Sequence, residues 1–346
     1  MPAIAVIGAG SWGKNHVRVF AQLGALRAVV DPNPAALAEA RRLYPDVAAY
    51  ESVEALLKNG GVEAVAVCTP AVTHYALCKQ ALEAGLDAFV EKPFTLDPAE
   101  AAELVELAER KKRVVMVGHL MLYHPGVRRM KELVDSGELG RIHYIYGQRV
   151  NLGQVRRDEN AMWSLGPHDV SVVVHLFQQT PVRVAAVGSS YIQTQTGVED
   201  VVFLNLMFAD GRMANIHLSW LDPHKIRQFT LVGSKKMLVF DDTLATEKLR
   251  IYDKGVRGPY NPGQYESYGD ALTLHSGDIL IPRLDMAEPL KLQDKHFLEC
   301  VATRNKPLTD GANGLDVVRI LSAASRSLAE HGTPIALENV ATEGRA

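Results

Sequence analysis

Cysteine is scarce: Cys68, Cys78 and Cys300 are the three in 346 residues, and no pair of them stands in C-x-x-C spacing. A disulfide scaffold and a thiol-built metal centre are thereby excluded, and no metal is expected. Cys68 and Cys78 lie in apolar stretches and read as small buried hydrophobes. No apolar run is long enough to span a membrane. A net charge of −3 leaves no basic excess for nucleic acid or an anionic lipid surface. No leader-like segment opens the chain, because strand-forming residues, Ala3-Ile4-Ala5-Val6-Ile7, begin at once. Repeats and low-complexity tracts are missing too. With 47% hydrophobic and 22% charged residues, the composition is that of a cytoplasmic globular protein with a substantial core.

What is present falls into two textures. Up to about residue 121, short apolar runs alternate with helical periodicity, the pattern of β-α-β units around a parallel sheet. Strands are predicted at Ile4–Ile7, Leu26–Val30, Ala64–Val67, Ala88–Val90 and Val114–Val117. Helices are predicted at Trp12–Leu23, Pro34–Leu43, Thr73–Ala84 and Pro98–Lys111. From residue 122 to 346 a helix (Pro125–Ser136), a strand (Ile142–Val150) and a helix from about Gly166 to Gln178 lead into strands. These run over Val182–Ser189, Val201–Phe208, Met213–Trp220, Arg227–Val232 and Met237–Phe240, joined by turns such as "ADGR". Asp253 to Thr273, rich in Gly, Pro and Tyr, reads as an irregular loop. Helices near Lys291–Thr303 and Gly314–His331 close the chain. The expected fold is α/β: a doubly wound parallel sheet over 1–121, then an α+β mixed-sheet domain over 122–346.

"AVIGAGSWGKNH" places Gly8-x-Gly10-x-x-Gly13 between the first strand and the first helix. There Gly8 permits the tight turn, Gly10 lets the backbone approach a pyrophosphate, and Gly13 lets helix and strand pack closely. The free N–H groups of the helix start favour the phosphates. Ser11 and Trp12 lie inside the same turn. Asp31 ends the second strand at roughly the ~20-residue spacing of a carboxylate that grips the adenosine ribose, and an acid there favours NAD over NADP. "CTPAVTH" follows the third predicted strand, so Thr69, Pro70 and His74 join the cofactor edge; His74 could equally face solvent at a helix start.

Several further motifs coincide with this turn: "VEKPF" at Val90–Phe94, "VGH" at Val117–His119, a later "GPHD", and the closing "PLTDGANGLDVVRILSAASRSL". Together they resemble the Gfo/Idh/MocA family of nicotinamide-dependent sugar and cyclitol oxidoreductases, over essentially the whole chain. The resemblance implies a Rossmann domain and an open-faced sheet domain, with substrate between them and the sheet used for homodimer or homotetramer contacts. It also implies that Lys92 of "EKP" reaches the reacting hydroxyl and the nicotinamide, beside Glu91. A cation near an alkoxide favours loss of its proton, and burial brings a lysine pKa down. In the family's usual pattern an Asp stands four residues before a His, one helical turn apart. His168 matches the His, and Ser164 takes the place of the Asp. Serine cannot tune or share a proton with the imidazole as a carboxylate would, but an imidazole near its ordinary pKa still serves as general base. His175, deeper in an apolar stretch, reads as core.

"RRDENAMWSLGPHDVSVV" and "HLSWLDPHKIRQFTLVGSKKMLVFDD" resemble the branch of the family that oxidises the 3-hydroxyl of UDP-N-acetylglucosamine or its uronate, ahead of an aminotransferase. A diphosphate needs cations, and Arg149, Arg156, Arg157 and Lys225 are candidates. A uracil or pyranose ring needs a flat apolar surface, and Tyr123, Trp163, Tyr146 and Trp220 are candidates. The alternatives are a dehydrogenase of a free sugar or inositol, and a non-catalytic NAD or sugar sensor on the same fold.

Overall fold

In the computed structural model, residues 1–153, 155–157, 159–257 and 273–337 are described. They divide into two units: Met1–His124 with Ala287–Ser322, and Pro125–Met286 with Ala323–Ala346.

The first unit begins β1 (Ile4–Ile7), α1 (Gly13–Gln22), β2 (Leu26–Val30), α2 (Pro34–Leu43), β3 (Ala48–Tyr50) and α3 (Val53–Asn59). It continues β4 (Ala64–Val67), α4 (His74–Glu83), β5 (Asp87–Val90), α5 (Pro98–Lys111) and β6 (Val115–Val117). The six strands form one parallel sheet in the order β3-β2-β1-β4-β5-β6. Strand order reverses between β1 and β4, and ligands of such sheets bind beyond the carboxyl ends of the strands there. β1, β4 and β5 are buried along their whole length, as strands covered on both faces must be, and so they are apolar runs rather than alternations.

The second unit holds α6 (Pro125–Asp135), β7 (Ile142–Val150), α7 (Ala161–Phe177), β8 (Arg183–Ser189), β9 (Val201–Met207), β10 (Met213–Ser219) and β11 (Ile226–Gly233). β12 (Met237–Asp241), β13 (Leu249–Arg257) and β14 (Thr273–Leu280) follow. α8 (Pro289–Thr303) lies in the first unit, α9 (Gly311–Ala329) begins in the first and ends in the second, and β15 (Ile335–Ala336) is in the second. Nine strands form a mixed sheet in the order β14-β13-β12-β11-β7-β10-β9-β8-β15, with β7 and β10 its one parallel pair among the described residues. Alternation along β9 and β10 buries Val202, Leu204, Leu206, Ala214, Ile216 and Leu218 on the face that α7 covers. The opposite face leaves Tyr144, Tyr146, Phe203 and Met213 exposed.

Several expectations are revised. The partition at residue 121 differs from the observed one, because residues 287–322 return to the first unit. There Phe297 packs on Phe89 at 5.8 Å between ring centroids, and the Arg304 guanidinium reaches the fully buried Asp87 at 2.7 Å. β3 and α3 were not anticipated, each being too short to show a period. The α7 helix starts five residues before Gly166, because the Asn160 side chain caps it by accepting from the Trp163 N–H at 2.9 Å. Pro167 therefore lies inside the helix. The expected loop at Asp253–Thr273 begins as strand β13; its residues 258–272 lie outside the described residues.

Candidate functional site

At the carboxyl end of β1, Gly8 adopts φ +89°, which an L side chain rarely takes, and a Cβ on Gly13 would fall 1.9 Å from the Gly8 carbonyl oxygen. Gly10 behaves differently: a Cβ there would meet nothing within 4 Å. The backbone at Gly10 is thus exposed at the very turn where a pyrophosphate would approach. Next to it, the Asp31 carboxylate is oriented by two backbone donors, Ala9 N–H to Oδ2 at 2.7 Å and Asn33 N–H to Oδ1 at 2.8 Å. Carboxylate oxygens accept more than one bond each, so Asp31 keeps capacity for ribose hydroxyls. Ser11 and Trp12 are exposed in the same turn. The turn and its acid fit a dinucleotide.

β4 and β5 contribute the rest of this edge. Thr69 is half-buried and its hydroxyl pairs with Thr73 at 2.7 Å, while Pro70 is exposed. His74, expected beside the cofactor, is instead buried and occupied by the backbone. Its Nδ1 lies 2.7 Å from the Pro93 carbonyl oxygen and its Nε2 lies 2.9 Å from that of Thr69. Burial lowers its pKa, against the pull of the two carbonyls. The ring ties the "CTP" turn to the "EKP" turn, whose Lys92–Pro93 bond is cis.

Glu91, also expected at the cofactor, is buried and engaged on every side. Its Oε1 accepts from the Trp12 indole N–H at 2.9 Å and lies 2.9 Å from His16 Nε2; its Oε2 accepts from the Lys92 backbone N–H at 3.0 Å. His16 Nδ1 in turn lies 3.1 Å from both oxygens of Asp294. Burial opposes a charge on His16, yet the two carboxylates outweigh it and push its pKa up to about 10. Burial alone would raise Glu91, but His16 overcomes it and holds this carboxyl below its ordinary value. Asp294, deeper, is raised by burial. Neither His16 nor Asp294 was anticipated from the sequence, where they stand 278 positions apart. Lys92 itself is half-buried.

In the second unit, α7 carries Trp163, Ser164 and His168. Trp163 is half-buried, and its indole N–H donates to the Ser325 hydroxyl at 2.9 Å. Ser164 is buried, and His168, one turn on, is half-buried. Asp169, next to His168, does not stand in for the missing acid. It receives Arg149 Nε at 2.7 Å and Nη2 at 2.9 Å in a buried two-pronged pair between β7 and α7. Arg149 is therefore an internal counter-ion and not the phosphate ligand expected of it. Tyr123 is corrected in the same way: it is fully buried in the first unit, with its hydroxyl 3.3 Å from that of Thr309 and its ring against His296. Arg156 and Arg157 are exposed, with Arg156 2.7 Å from Glu159. Tyr146 is exposed on the open sheet face, whereas Trp220 is buried.

Two family models cover most of the chain. The oxidoreductase-family NAD-binding Rossmann fold of Gfo/Idh/MocA matches residues 3–119, and the Gfo/Idh/MocA C-terminal domain matches residues 127–239. The chain belongs to the Gfo/Idh/MocA family.

This family member is thus an NAD-binding oxidoreductase. It is 28% identical over 321 residues to UDP-N-acetylglucosamine 3-dehydrogenase of Acidithiobacillus ferrooxidans, covering 92% of this chain and 94% of the relative. A solved structure of that dehydrogenase superposes with a TM-score of 0.79 at 26% identity, covering 95% of this chain and 98% of the other. Inositol 2-dehydrogenase of Corynebacterium glutamicum is 27% identical over 228 residues, covering 62% of this chain and 66% of the relative.

Proposed function

We propose that this Gfo/Idh/MocA oxidoreductase is a dehydrogenase that oxidises the 3-hydroxyl of a UDP-linked N-acetylamino sugar, UDP-N-acetylglucosamine or its uronate. The product is a 3-keto sugar suited to a downstream aminotransferase. The observation that carries the reading is the end-to-end similarity to a UDP-N-acetylglucosamine 3-dehydrogenase, over 92% of this chain. The exposed pair Arg156 and Arg157, shortly before the helix that bears His168, supports it, since a diphosphate is best met by guanidinium groups.

Bound NAD supplies the hydride acceptor. The Gly8–Gly13 turn offers backbone donors to its pyrophosphate, and Asp31 accepts from the adenosine ribose. The Lys92 ammonium stabilises the alkoxide that forms as the hydroxyl proton leaves, and the His168 imidazole takes that proton. Ser164 stands one turn before His168, where the family's usual pattern has an acid, and His168 acts as the base. Trp163 offers a flat surface to the sugar or the uracil. The exposed aromatic face of the nine-stranded sheet suits a second copy of the chain, a homodimer or homotetramer, which light scattering of the purified protein checks.

NADH formation is measured with NAD and UDP-N-acetylglucosamine, its uronate, free N-acetylglucosamine, glucose and myo-inositol, each with a ketone trap. Turnover confined to the UDP-sugars is the expected result. Turnover with myo-inositol or a free sugar would reject the nucleotide handle and favour the second reading, which the inositol 2-dehydrogenase relative motivates. Inactivity with every substrate would favour an NAD-sensing protein.

A further inference from the structure

We infer that Asp294 and His16 are positioning residues for the cofactor, acting through Glu91. Asp294, His16 and Glu91 form an unbroken buried line of carboxylate, imidazole and carboxylate. His16 bridges from α8 to the end of β5, 3.1 Å from Asp294 on one side and 2.9 Å from Glu91 on the other. The outer end of the line divides. One Glu91 oxygen holds the Trp12 indole and the other holds the Lys92 backbone N–H, so a single carboxylate joins the glycine turn to the "EKP" turn.

A lone carboxylate at this depth would be strongly disfavoured, and a neutral imidazole could donate to only one of its two acid neighbours. With both acids ionised, the two contacts are satisfied together only when His16 is protonated. The rings of Phe20 and Phe89 pack on the imidazole and keep water from it. The charged or titratable groups in contact with His16 are Asp294 on α8 and Glu91 at the end of β5; Arg18 on α1 acts on Asp294, and His74 on α4 and His119 after β6, both pushed down by burial, act on Glu91. Beyond them lie Lys92, whose charge favours the Glu91 carboxylate, and Cys68 at the end of β4, whose thiol is pushed well up by burial and by both acids. His16 therefore carries its charge across the neutral range, and the Glu91 that orients Trp12 and Lys92 stays ionised with it. The inference rests on the reading that the Gly8–Gly13 turn and Lys92 face NAD.

The test is the NAD dissociation constant, measured by calorimetry from pH 6.5 to 9 on the full chain. The proteins compared are wild type, Asp294→Asn, His16→Gln and, as a control, Gly10→Val. Asparagine keeps an acceptor for the imidazole N–H but removes the charge that keeps His16 protonated. Wild type should bind with a flat pH profile. Asp294→Asn should bind almost normally at pH 6.5 and lose roughly tenfold or more by pH 9, as His16 and Glu91 can no longer be charged together. His16→Gln removes the cation that holds the buried Glu91 ionised, so its affinity should be weakened and should vary with pH as Glu91 titrates. A packing role alone would shift the melting temperature but create no such slope, so a folded Asp294→Asn with a wild-type flat profile overturns the inference. Should Asp294→Asn not fold, His16→Gln decides: wild-type affinity or a pH-independent weakening overturns the inference, and weakening that varies with pH between 6.5 and 9 supports it. Gly10→Val fills open space at the turn and should abolish binding while leaving the fold intact. Normal NAD binding by Gly10→Val would overturn the cofactor reading itself, and the inference with it.

Discussion

At the scale of single residues, the Lys92 ammonium is the group on which turnover depends in the proposed reaction. Lys92 could be singled out because a lysine between a buried strand end and a proline belongs to a motif set, and the structure puts its backbone N–H on a fixed carboxylate. Replacing it with alanine removes the ammonium from the alkoxide and leaves the glycine turn, Asp31 and the backbone N–H that Glu91 accepts in place. Lys92→Ala is therefore expected to lower kcat by about 10³-fold with NAD affinity essentially unchanged; near-normal turnover in stopped assays would remove Lys92 from the mechanism. Arg149 and Tyr123 illustrate the opposite case. Their types suit phosphate and ring binding, but each is consumed by a partner that no local pattern reveals, Asp169 twenty positions away and Thr309 far along the chain. His16 was missed for the same reason. A histidine three residues after Gly13 looks like any helix residue until α8 brings Asp294 against it.

At the scale of elements, legibility follows local punctuation. α2 and α5 begin and end where the sequence indicates, because each has a capping side chain, Asn33 or Asp97, and a proline at the first helical position. β7 is also met from end to end, as a long run of strand-forming residues. β13 and β14 were obscured by the Gly, Pro and Tyr content between them, which weakens any period-two signal. The start of α7 was displaced because Pro167 looked like a helix opening, whereas the actual cap, Asn160, lies two turns earlier. That cap has a measurable share of stability. Asn160→Ala leaves the Trp163 N–H without its acceptor and should cost about 1 kcal/mol in denaturant unfolding. Because Trp163, Ser164 and His168 ride on that first stretch, fraying there should also raise KM for the sugar and lower kcat.

At the scale of the whole molecule, buried histidines set the pH range of stability. His119 and His175 are pushed down to about 4 by burial, so they oppose the folded state as pH falls below the 6.5 at which they protonate when unfolded. His16 is pushed up to about 10 by its acids, so its contribution is complete below pH 6.5 and is lost as pH rises toward 10. Each differential proton contributes about 1.4 kcal/mol per pH unit within its window. The melting temperature should thus peak near pH 6.5–7 and fall on both sides; a plateau extending to pH 9.5 would contradict the charged state assigned to His16. The return of residues 287–322 to the first unit has a consequence of another kind, in the order of synthesis. The six parallel strands leave the ribosome first, yet the helix that brings Phe297 onto Phe89 and Asp294 onto His16 is made about 170 residues later. At typical translation speeds that is an interval of roughly 9–34 s. Throughout it the nascent sheet presents an apolar flank and a half-built charge line, a natural substrate for chaperones that hold unfinished domains. The unit that is begun first is completed last.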